Sequence, residues 1–120
     1  MTGLELVVRY LVAWSVRRTR EVDPFGDAEV DQALDAKLDR LHRAVARKLA
    51  RDAGLAALVK QGVAGTVSER TQQRVVQSLT TAADADPAFS ASLVDYLEQV
   101  RRAERQAGVR LSGVSIVAAG

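Results

Sequence analysis

VDQALDAKLDRLHRAVARKL, running from Val30 to Leu49, is the stretch that decides the fold. Val30, Leu34, Leu38, Leu41, Val45 and Leu49 recur at steps of three and four, which puts them on one stripe of an α-helix. The pattern predicts a helix from about Asp27 to Ala53, with Gly54 as the residue just past its end. A second series runs through the same stretch: Asp27, Asp31, Asp35 and Asp39, then Arg43, Arg47 and Arg51, always four residues apart. Steps of four drift by only about 40° on a helix, so these side chains form one slowly winding charged ridge.

The ridge has three readings. It is a solvated face whose acids and bases match the helix dipole. It is a ladder within the chain: a hairpin of helices one and two about Pro24 sets Arg17 level with Asp31 and Arg9 level with Asp39. Or it is an interface, since a row negative at one end and positive at the other complements itself in an antiparallel two-fold dimer. Four aspartates along one helix do not converge on a point, so a cation site is disfavoured.

Outward from this helix, the chain reads as more helices. Helix one is expected from about Gly3 to Glu21, with Thr2 and Glu5 at capping-box spacing. Its apolar residues Leu4, Val7, Val8, Leu11 and Trp14 are joined by Leu6, Tyr10, Ala13 and Val16, so it is apolar almost all round. Such a helix lies at the centre of a bundle or against another surface. Val22-Asp23-Pro24-Phe25-Gly26 reads as a loop. A short helix three is expected over Leu55–Gln61, ended by Gly62 and Gly65. Helix four starts near Thr66 or Ser68 and carries Val75, Val76, Leu79, Ala82 and Ala83. Asp86-Pro87 is a helix-start signal, and helix five then presents Phe89, Leu93, Leu97 and Val100 before ending at Gly108.

The last segment, VRLSGVSIVAAG (Val109–Gly120), departs from this pattern. Val109 and Leu111, then Val114 and Ile116, alternate with polar residues, which favours extended chain. With no second strand to pair with, such a tail adds to another sheet edge, stacks with copies of itself through Val114, Ile116 and Val117, lies on its own helices, or stays unordered. The expected architecture is all-α: a bundle domain over residues 1–108, with a long two-helix hairpin and three further helices, followed by a β-prone tail over 109–120.

Composition narrows the function. There is no cysteine, which removes disulfides, thiolate metal sites and thiol catalysis and is compatible with the cytoplasm. Net charge is +2, too little to imply a polyanionic partner. Residues 4–16 lack the basic start and cleavage site of a secretory signal and are too short to span a bilayer. His42 is the only histidine and sits beside the apolar stripe of helix two, as a boundary residue. No nucleotide-binding loop and no nucleophile–base motif occurs. No catalytic residue, cofactor or metal ligand is therefore expected.

Two alternative contact surfaces stand beside the ridge. Tyr10, Trp14, Arg17 and Arg18 on helix one suit a lipid interface. Residues 55–76 superficially resemble a helix-turn-helix, with Arg70 and Arg74 on the second helix, but the segment is barely basic. The stretches YLVAWSVRRTR (Tyr10–Arg20) and Val22–Leu49 resemble short helical proteins of actinobacteria, some carrying partition-type labels. The tail resembles the start of Gly/Val/Ser-rich extensions of bacterial conflict-system and signalling proteins. These resemblances imply a helical fold and supply no functional residues. The expected function is a non-enzymatic protein–protein interaction or assembly module, self-associating through Asp31, Asp35, Asp39, Arg43 and Arg47 of helix two, through the tail, or both. Peripheral membrane binding and weak DNA binding are the alternatives.

Overall fold

The computed structural model describes residues 3–17 and 28–107. Five helices occupy them: α1 (Gly3–Arg17), α2 (Ala28–Lys48), α3 (Ala53–Ala64), α4 (Glu69–Ala85) and α5 (Pro87–Ala107). The fold is all-α, and no strand occurs among the described residues. The tail's β-character falls outside them, as does the loop about Pro24.

The apolar stripes converge on one core. Leu34, Leu38, Leu41 and Val45 of α2 are fully buried, as are Val75 and Leu79 of α4. Phe89, Leu93, Leu97 and Val100 of α5 are buried on the side that faces α2 and α1. Each such Leu stabilises the fold by roughly 1.5–3 kcal/mol relative to exposure. Helix α1 packs against each of the other four helices. Its Val7, Val8, Tyr10, Leu11 and Trp14 are all buried, which is why a helix apolar nearly all round is found at the centre.

Contacts give the helix directions. Lys37 of α2 reaches Gln99 of α5, while Lys48 reaches Asp86, so the two helices run antiparallel. Arg17 meets Asp35 and Trp14 meets His42, so α1 and α2 are antiparallel too. The register differs from the expected one: Arg17 Nε donates to Asp35 Oδ1 at 2.7 Å, one helical turn beyond Asp31. Counting residues from Pro24 treats the connection as symmetric, whereas packing of Trp14 on His42 fixes the offset.

Helix boundaries around α3 also differ from expectation. Helix α2 stops at Lys48, not at Ala53, because Asp52 starts α3: its carboxylate accepts from the Leu55 amide at 3.0 Å. Gly54 is thus inside α3 rather than past the end of α2. It is needed there because a Cβ would lie 2.9 Å from Asp52 Oδ1 and 3.4 Å from Arg74 Cβ. Gly62 does not end α3 either; it is buried two residues before the end. Gly65 is the terminator, with φ of 116° and its amide bonded to the Gln61 and Gly62 carbonyls. Ser68 caps α4 and Asp86 precedes Pro87 at the start of α5, both as the sequence indicates.

Candidate functional site

Burying one side of α2 against α5 and α1 leaves its charged ridge on the outside. Asp35, Arg43 and Arg47 are exposed and Asp39 is half-buried. Two links of the ridge are closed within the chain. Asp35 takes the Arg17 guanidinium, and Asp39 takes Arg43 Nη2 at 3.0 Å, one turn along the same helix. Both pairs are solvent-accessible, so each contributes only about 0–1 kcal/mol and can exchange partners. Arg47 makes no ion pair among the described residues. The side chain of Asp31 lies outside the described residues, as do Arg18, Val114, Ile116 and Val117.

Two of the residues expected on a lipid-facing surface of helix one, Tyr10 and Trp14, are buried in this fold. Tyr10 is 1% exposed and Trp14 7%, because the other helices cover the face that would meet lipid. The Tyr10 hydroxyl donates to the buried Glu104 of α5, and the Trp14 ring stacks on His42 with centroids 3.6 Å apart and planes 12° from parallel. No described helix is long and apolar enough to cross a membrane.

Residues 55–76 form an antiparallel helical hairpin, not the open corner of a helix-turn-helix. At the turn, the Gln61 side chain accepts from the Ser68 amide at 2.9 Å and donates to Thr71 Oγ1 at 2.9 Å. At the far end, Ser78 Oγ donates to Asp52 Oδ2, so α3 and α4 stay together along their length. Arg70 and Arg74 are exposed on α4. Burial pushes the Asp52 carboxyl up, but the Ser78 hydroxyl, the Leu55 and Gly54 amides and the Arg74 charge outweigh it and hold it below its ordinary value.

Among the described residues lies a concave feature that sequence reasoning missed. A shallow open groove of about 430 Å³ runs between the end of α2 and α3. Its walls are Ala46, Leu49 and Ala50 on one side and Leu55, Ala56 and Val59 on the other. His42 closes one end, while Asp52 and Lys60 supply charge. Val63 continues the α3 wall, four residues past Val59, and is 50% exposed. A signal for it exists in LAALVKQGVA: Leu55, Leu58 and Gly62 fill the core face, and Ala56, Val59 and Val63 make a second apolar face.

Among the described residues, no three histidine, aspartate or glutamate side chains are placed to hold a metal ion. The buried polar side chains Ser15 and Thr71 are tied into local hydrogen bonds, and Glu104 into its bond with Tyr10. Compared with family models, with curated proteins and with solved structures, the chain matches none.

Proposed function

We propose that this chain is a non-enzymatic protein–protein interaction module whose contact element is the outer face of α2, and that it self-associates through that face. The observation that carries the reading is the order of charge on the exposed ridge: Asp35 and Asp39 precede Arg43 and Arg47 on one solvent-facing line. Two copies of α2 laid antiparallel bring Asp35 and Asp39 of one against Arg47 and Arg43 of the other. The apolar residues of α2 are committed to the core, so such an interface is polar and its strength falls as salt rises. The β-prone tail over 109–120 is a second assembly element under the same reading, adding strand pairing to the helix contact. The setting that fits is the cytoplasm.

Light scattering behind gel filtration tests this, with the full chain loaded over a range of concentrations at low and high salt. A concentration-dependent dimer that weakens with salt supports the reading. A monomer at every concentration and salt removes self-association.

A further inference from the structure

We propose that the groove between α2 and α3 binds an amphipathic helix of a partner protein carrying acidic residues beside its apolar stripe. The inference rests on reading the chain as an interaction module; the apolar groove is separate from the ridge, but Arg43 and Arg47 at its α2 lip are also the basic half of the ridge.

The floor and walls are apolar and small. Alanines at 46, 50 and 56 let a partner backbone approach closely, Leu49 and Val59 offer aliphatic contact, and the exposed Val63, four residues past Val59, extends the apolar face beyond the groove itself. The α2-side wall, Ala46 to Ala50, covers little more than one helical turn, and the α3 wall with Val63 covers about two, enough to seat a short helix laid in a groove. Neither α2 nor α3 covers the space between them: both rest on α1 instead.

Charge selects the occupant. Lys60 stands on the α3 lip. On α2, Arg43 lies one turn before Ala46 and Arg47 one turn before Ala50, so both flank the opposite lip. Arg43 is shared with Asp39, whereas Lys60 and Arg47 have no ion pair among the described residues. The one carboxylate in the lining, Asp52, is turned away to the Leu55 amide and the Ser78 hydroxyl. The groove is therefore apolar between uncompensated cations, and the complement is apolar between carboxylates.

A second copy does not supply that complement from its described residues. Their outward apolar face is the α3 wall of Ala56, Val59 and Val63 itself, which carries Lys60 in place of carboxylates, and the other large exposed hydrophobic, Val94, stands apart on α5. The segment Val109–Gly120 contains Arg110 and no acidic residue, so it lacks the matching charge.

The test uses fluorescence anisotropy of a labelled helical peptide of about 14 residues, four turns long. Leucines occupy positions i, i+3, i+4 and i+7, and glutamates flank them; a matched peptide carries lysines in place of the glutamates. Binding of the glutamate peptide to the full chain, weakened about tenfold or more by Val63→Glu and unchanged by Val94→Glu, is the expected result. Lys60→Glu, which leaves the ridge intact, is expected to weaken the preference for the glutamate peptide over the lysine peptide at least severalfold. These positions are exposed, so the variants keep the fold, as circular dichroism checks. Equal binding of both peptides, no binding, or binding insensitive to Val63→Glu overturns the proposal. So does stronger retention on vesicles of anionic phospholipid than on the glutamate peptide. Val63→Glu and Lys60→Glu lie on α3, away from the ridge, so light scattering of these same variants separates failure of the groove reading from failure of self-association.

Discussion

Gly62 of α3 lies directly against Ser15 of α1. A Cβ on Gly62 would sit 1.8 Å from Ser15 Oγ and 2.4 Å from Ser15 Cβ. Rotating the serine side chain moves Oγ but leaves Ser15 Cβ in place, so rotation does not make room. The hydroxyl is itself held by the Val12 carbonyl at 2.8 Å. This pair sets how closely the central helix and α3 approach.

Gly62→Ala should therefore destabilise the protein, although alanine is the better helix former. Overpacking of this kind costs about 1–3 kcal/mol, against a propensity gain of about 1 kcal/mol, and here the clash with a fixed side chain wins. Urea denaturation is the measurement. Ser15→Gly in the same background should recover part of the loss, with a coupling of about 1 kcal/mol between the two sites. A stabilised Gly62→Ala variant would show that α1 and α3 are not in contact at this point.

Asp52 links the start of α3 to α4, and its replacement by alanine should cost about 1–2 kcal/mol through the lost cap. Asp52→Asn isolates the charge. Because the folded protein holds the Asp52 carboxyl below its ordinary value of 3.8, the stabilisation from its ionised form is full above that pH. It is lost as pH falls through the lowered folded value. The stability gap between wild type and Asp52→Asn should accordingly be present at neutral pH and close in acid. A gap that widens in acid would contradict the assigned hydrogen bonds.

Trp14 is the only tryptophan and reports on its own surroundings. His42→Ala removes the stacked ring that helps cover it, so its emission should shift to the red and stability should fall by about 1 kcal/mol. An unchanged emission maximum would mean that the stack is absent in solution.

Tyr10→Phe removes the hydroxyl that donates to the buried Glu104 carboxylate. Weakening the hydrogen bonding of a buried carboxylate should cost about 1–3 kcal/mol. Glu104→Gln, which keeps an accepting oxygen, should cost less than Tyr10→Phe in thermal denaturation. The opposite order would place the hydroxyl elsewhere.

Much of this fold is legible in the sequence because its helices carry single apolar stripes. The core positions of α2 and α5 follow directly from steps of three and four, and Ser68 and Asp86 announce the helices they begin. Glycine was the misleading signal. Gly54 and Gly62 look like helix ends because glycine is a poor helix former, yet both stand inside α3 where a neighbour leaves no space for a Cβ. Only the packed structure distinguishes that use from a terminator such as Gly65. The ridge on α2 is plain in the sequence, whereas its link from Asp35 to Arg17 depends on an offset that residue counting does not supply. The groove escaped notice because it is made of alanines, which read equally well as helix formers.

The central claim is that two copies meet through oppositely charged halves of α2, and a charge-swap mixture tests it most directly. One variant carries Asp35→Arg and Asp39→Arg; the other carries Arg43→Asp and Arg47→Asp. Light scattering should find each variant monomeric on its own, with a dimer restored when the two are mixed in equal amounts. Dimers in both separate variants, or no dimer in the mixture while wild type dimerises, would contradict the antiparallel pairing of α2.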